Sequence, residues 1–150
     1  MNVEKLIKVI GVIVLPNPML KSFGAIFLSL LVAFGLIIGV EGLSSILHPW
    51  PEGFSGTSAE INLHVQNYPS WVLAFLGGVG WGSATLISTF VATRFGHKRN
   101  PLHGYGVGFL LVVLTVFNMI LLPYPSWFWF LNLTVLPAAA FCGTSWANKV

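Results

Sequence analysis

Four long runs of apolar residues organise the chain: Phe23 to Leu47, Trp71 to Thr93, Gly104 to Leu122 and Trp127 to Trp146. Each is close to or longer than the roughly 20 residues an α-helix needs to cross about 30 Å of hydrocarbon. Charge interrupts only one of them, at Glu41 in the first. The strands of a membrane barrel would read as short segments of alternating polarity, and these runs are apolar all round and more than twice as long. The pattern therefore predicts an all-α fold, a four-helix transmembrane bundle forming a single integral membrane domain over residues 1–150. Before the first run, Leu6 to Leu15 is an apolar decamer flanked by Lys5, Lys8, Pro16 and Pro18. It is too short to span, and Leu15, Pro16, Asn17, Pro18 is no small-residue cleavage site, so a short interfacial N-terminal helix is expected.

Composition narrows the function classes. The chain is 55% hydrophobic and 7% charged, too few charges to clothe a water-exposed surface. A soluble enzyme, a nucleic-acid partner and a disordered linker are excluded together. The net charge of +3 rests on seven Lys and Arg, and their positions follow topology. Lys5, Lys8 and Lys21 precede the first run, Arg94, Lys98 and Arg99 flank the link between the second and third, and Lys149 follows the fourth. Cytoplasmic loops retain such residues, so both termini are expected inside and the segment from His48 to Ser70 outside. Trp50, Tyr68, Trp71, Tyr124, Trp127 and Trp129 fall at the expected outer interface, where amphipathic rings gather. The single Cys142 allows no internal disulfide and no multi-cysteine metal site.

The run Ser88, Thr89, Phe90, Val91, Ala92, Thr93, Arg94, then Lys98, Arg99, Asn100, Pro101, then His103 and Gly108, resembles an uncharacterised bacterial family of small integral membrane proteins. The opening Pro125, Ser126, Trp127, Phe128 of the fourth run, and Leu136, Pro137, Ala138 with Gly143 near its close, are similar to that family too. So is an acid ahead of a Leu-His pair, here Glu41 before Leu47 and His48. The resemblance implies a four-helix fold and no assigned activity.

Glu41 is the sharpest chemical signal, because an acid within a span costs several kcal/mol unless it is paired or neutral. Counting inward from the outer helix ends places Asn118 and Asn132 at a similar depth, about 9 Å in for Glu41, so the three are a candidate intramembrane polar cluster. It serves either as a protonatable outer cavity or as interhelical hydrogen bonding that holds the helices together. Gly78 and Gly82, Gly35 and Gly39, and Gly104 and Gly108 are each four residues apart and predict close helix packing. Gly77, Gly78, Gly80 and Gly82 lack the spacing and the preceding strand of a dinucleotide loop. Arg94, Lys98, Arg99 and His103, with His97 among them, are candidate headgroup or anion contacts, His103 being a candidate proton carrier. Outside, His48, Glu52, Glu60 and His64 match no zinc signature, although Glu60 and His64 would share a helix face. No His lies inside a span to ligate haem.

No nucleophile, base or metal set assembles, so an enzyme is not expected, nor a metal or cofactor. The leading expectation is a structural or accessory component that packs with itself or another membrane protein in the lipid bilayer, with no nucleic-acid partner. The rival is a proton-coupled small-molecule transporter or exporter using Glu41. The orientation is tested by single-cysteine labelling in a Cys142→Ser background. A cysteine at Ser55 is expected to react with an impermeant external reagent and one at Lys98 is not; the reverse pattern would overturn the topology.

Overall fold

The computed structural model describes residues 17–150, so the interfacial helix expected over Leu6 to Leu15 and the two lysines beside it lie outside the described residues. The fold is all-helical, with no strand among the described residues. Its elements are α1 (Pro18–Leu47), α2 (Ser58–Gln66), α3 (Ser70–Phe95), a short 3₁₀ turn (His97–Arg99), α4 (Pro101–Leu121) and α5 (Ser126–Lys149). Four of them, α1, α3, α4 and α5, are long and apolar enough to cross a membrane. The end of the molecule that carries α2 is called the cap end below, and the end that carries the 3₁₀ turn the basic end.

Two helices that leave the basic end begin with the same device. Asn17 accepts a hydrogen bond from the Met19 amide at 3.0 Å, and Asn100 accepts one from Leu102 at 3.0 Å, each just before a proline. Asparagine satisfies an amide that lacks an intrahelical partner, and proline at the first helical position gives up a donor that would have been orphaned. This cap starts α1 five residues ahead of the apolar run at Phe23, which corrects that boundary; at 30 residues α1 is about 45 Å long. At the cap end, Thr57 and Glu60 close a reciprocal capping box on α2. Inside α5, Pro137 removes one backbone donor, yet the helix continues through it to Lys149.

The centre of the fold is α3, which packs against α1, α4 and α5. In its most apolar stretch 61% of residues are buried, against 17% for α1, so α1 leaves most of its surface to the surroundings. Near the cap end α3 widens into a π-helical stretch, Phe75–Trp81. There Gly77 faces Asn132 and Phe128 of α5, and Gly80 faces Val40 of α1. Missing side chains at these two positions let the widened turn fit between both neighbours.

The expectation of close packing at paired glycines divides. An added Cβ at Gly104 would strike the hydroxyls of Thr93 and Thr144, at Gly108 it would meet Ala140 at 2.5 Å, and at Gly82 it would meet Val135 at 2.8 Å. Gly35, Gly39 and Gly78 have nothing within 4 Å, so the packing expectation is corrected for those three. Their spacing is right for a small-residue face, but Gly35 and Gly39 are exposed, and Gly78 borders an open groove beside Val135, Ala138 and Ala139 of α5. Gly77, Gly80 and Gly143, the last against the Leu86 carbonyl and the Thr89 hydroxyl, are close approaches that pair spacing does not reveal.

Buried hydroxyls line the same interfaces. Thr85 donates to the Trp81 carbonyl at 2.8 Å, Thr89 to the Thr85 carbonyl at 2.9 Å and Ser88 to the Thr85 carbonyl at 3.1 Å. Each hydroxyl thereby satisfies itself on its own helix, as an apolar surrounding requires. Replacing Gly104 by Ala is expected to cost about 1–3 kcal/mol through overpacking, whereas Gly78→Ala is neutral or slightly stabilising, since helix propensity improves by up to about 1 kcal/mol. Thermal unfolding in detergent reads the difference, and equal shifts for both variants would contradict this packing.

Candidate functional site

A cavity of about 410 Å³ opens between α1, α3 and α4 toward the cap end. From α1 it takes Phe34, Ile37 and Glu41, three residues that recur on one side of the helix. Trp81 and Thr85 come from α3, one turn apart. Leu111, Leu114, Thr115 and Asn118 come from α4, and the chain beyond it adds Leu122 and Tyr124. The volume lies in the lower part of the range of about 300–1,000 Å³ typical of small-molecule sites.

Its polarity is graded along the helices. Phe34 and Leu111 lie one heptad, about 10 Å, toward the basic end from Glu41 and Asn118 respectively. Polar groups therefore gather near the cap end of the cavity and apolar ones deeper. At the polar end Trp81 Nε1 donates a hydrogen bond to Glu41 Oε1 at 3.2 Å. Glu41 is otherwise exposed on the surface of the protein, and no Lys, Arg or His lines the cavity to balance its charge. Asn118 Oδ1 is buried and has no hydrogen-bond partner. Tyr124 stacks on Phe128 with ring centroids 4.7 Å apart and meets Trp81 edge-on at 6.4 Å. Burial, and secondarily the nearby Glu41, push the Tyr124 phenol well above its ordinary pKa, so it remains a neutral hydroxyl.

The structure thus brings Glu41 and Asn118 to one cavity and places Asn132 elsewhere. Asn132 is buried on α5, donating to the Phe128 carbonyl at 2.9 Å and lying against Gly77, so its membership of the polar cluster is corrected. Equal depth on two helices says nothing about which way each side chain points around its axis. Trp81 and Thr115 were not singled out from sequence, and Tyr124 only as an interface aromatic. The signal for Trp81 was the aromatic within the glycine-rich stretch, where glycines admit a neighbour and a large ring fills the space they leave.

At the cap end the aromatic rings form a continuous stack. Phe54 lies on Trp50 at 4.2 Å between centroids, Trp50 on His64 at 3.9 Å and His64 on His48 at 4.3 Å. Tyr68 closes the stack against His48 at 4.6 Å and its hydroxyl meets Ser44 Oγ at 3.0 Å, tying the end of α1 to the segment after α2. Glu60 and His64 do share α2, but the carboxylate is occupied: Ser55 and Thr57 hydroxyls donate to it at 2.8 and 2.9 Å and their amides at 3.2 and 3.1 Å. Those donors, Ser55 first, lower the Glu60 pKa to about 2. Among the described residues no three His, Cys, Asp or Glu side chains converge to hold a metal.

At the basic end the candidate headgroup contacts differ in exposure. Lys98 and Arg99 are exposed, each with a left-handed backbone (φ 55° and 50°), and Arg94 is half-buried. His103 turns inward onto Gly96, with its Nδ1 buried and unpartnered.

Comparison with known proteins adds nothing to this geometry, since no family model, curated protein or solved structure matches the chain.

The stack carries a pH dependence of definite sign. Desolvation, and secondarily the neighbouring His48, lowers the His64 pKa below its ordinary 6.5. The folded cap then binds fewer protons than the unfolded one, so the stability from this residue is complete above about pH 6.5 and declines as pH falls below it. Trp50 fluorescence, read as the difference from a Trp50→Phe variant, is expected to show the cap loosening over pH 6.5 to 5 in the wild type. The change should be absent in His64→Phe. An identical titration in that variant would contradict the assignment.

Proposed function

We propose that the protein is a multi-pass membrane protein that takes an amphipathic small molecule into a cavity beside Glu41, in the manner of a proton-coupled transporter or exporter. The observation that carries this reading is the cavity itself, in which an acid without a cationic neighbour meets an unpartnered amide and two aromatic rings at one end, with an apolar interior at the other. Convergent polar groups at the head of an apolar pocket of this size are the usual signature of a binding site, and an ionisable residue at membrane depth is by default a functional one. The distribution of Lys and Arg supports a bundle with both termini and Lys98 on the cytoplasmic side, the cap end outward, in a bacterial inner membrane. In that setting the cavity lies in the outer half of the bilayer, with its polar end nearer the outer surface.

A second reading, a structural or accessory component, rests on Gly35 and Gly39, whose open face on the largely unburied α1 suits a close-packing helix from another chain. Vesicles loaded with a pH-sensitive dye separate the two. Octylammonium, octanol and octanoate are added to vesicles containing wild type, Glu41→Gln or no protein. The ligand-handling reading predicts a proton movement above the protein-free level with at least one amphiphile, abolished in Glu41→Gln. Signals at the protein-free level for every amphiphile would leave the accessory reading.

A further inference from the structure

Building on that reading, we infer that the molecule held in the cavity is an amphiphile whose head is a primary ammonium and whose single apolar chain runs toward the basic end. The argument starts from charge. Glu41 lies at the polar end of the cavity with only the Trp81 indole donating to it, and none of the lining side chains is basic. An acid among apolar helices is tolerated when it is neutral or matched by a counter-charge, and none of the described residues lining the cavity supplies one, so a cationic head is the complement its ionised form lacks.

Hydrogen bonding narrows the cation further. Asn118 is a second polar group at the same end, and its Oδ1 has no donor. In the structure Asn118 Oδ1 is buried, and a half-turn of the carboxamide, which exchanges oxygen and nitrogen, is the one adjustment needed for that oxygen to meet a bound ammonium. Two acceptors, Glu41 and Asn118, call for a head with at least two N–H bonds. A primary ammonium has three, whereas a quaternary ammonium has none and would leave both acceptors unpaired. The rings of Trp81 and Tyr124 at the same level add the cation–π attraction that any ammonium enjoys, so they favour the charge without choosing among ammonium types.

The depth of the cavity sets the rest. Phe34, Ile37, Leu111 and Leu114 line the part toward the basic end, extending about 10 Å from the polar groups, which suits one extended chain. Glu41 is six residues, about 9 Å, short of the end of α1, so a diacyl lipid presenting an ethanolamine head there would drag its phosphate below the helix ends. The ammonium chemistry is shared by free single-chain amines and by ethanolamine headgroups, and the depth favours the former.

Titration calorimetry in phosphatidylcholine nanodiscs, corrected with empty nanodiscs, tests the inference with octylammonium, octyltrimethylammonium, octanol and octanoate. Octylammonium is expected to bind at least tenfold more tightly than the other three. Glu41→Gln should bring it down to the octanol level, and Asn118→Leu should weaken it about fivefold, the size of one hydrogen bond. Loss of octylammonium binding in phosphatidylethanolamine nanodiscs would assign the ammonium to a lipid head and overturn the single-chain part of the inference; unchanged binding supports a free amine. Equal affinity for octylammonium and octyltrimethylammonium, or for octanoate, would overturn the primary-ammonium assignment while leaving a ligand cavity in place. Binding of none of the four to folded wild type would overturn the cavity reading as well. Should Glu41→Gln fail to fold, Asn118→Leu and the probe series on wild type decide the matter.

Discussion

A carboxyl group set among apolar helices has to be matched by something, and Glu41 imposes that requirement on the surrounding structure. One partner is Trp81, and its place depends on the backbone of α3. The π-helical stretch at Phe75–Trp81 is tolerated because Gly77 and Gly80 let α5 and α1 come close on two sides. Local widening of a helix at a chemically distinctive residue is a recurrent feature of functional sites, and here it coincides with the residue that meets the acid. The indole satisfies one carboxylate oxygen, and the remainder of the group opens on a cavity whose walls offer no cation.

The rest of α3 is built on the opposite principle. Below Trp81 the hydroxyls of Thr85, Ser88 and Thr89 turn back to carbonyls of their own helix, while Gly104, Gly108 and Gly143 bring α4 and α5 to van der Waals contact with α3. Self-satisfied polarity and small residues make this half close-packed. Toward the cap end Val72, Leu73, Leu76, Met119 and Phe128 form a second buried core beside the open, unevenly polar pocket. An aromatic stack from Phe54 to Tyr68 seals the cap by packing two histidine rings face to face.

Much of this was legible along the chain, and the failures have physical causes. Four helices follow from run length alone, because a continuous apolar stretch of this size has few other conformations open to it. The start of α1 escaped because the Asn17-Pro18 cap acts on the backbone and leaves the apolar run unchanged. Glu41 and Asn118 line one cavity, but depth fixes height and not direction, so Asn132 was placed with them although it faces Gly77. The same gap between spacing and direction separates Gly104 and Gly108, which pack, from Gly35 and Gly39, which do not. Glu60 shows the converse: Thr57 followed three residues later by Glu is a capping pattern, and that pattern accounts for the carboxylate without any metal.

The central claim is that the cavity beside Glu41 is where an amphiphile resides, and photo-crosslinking tests it most directly. A single-chain primary amine carrying a diazirine near mid-chain is irradiated with the protein in nanodiscs, and the adducts are located by peptide mass spectrometry. The account predicts adducts concentrated on Phe34, Leu111 and Leu114, displaced by excess octylammonium and lost in Glu41→Gln. Adducts spread over outward-facing residues such as Phe109 and Phe130, insensitive to competitor and to that substitution, would contradict it.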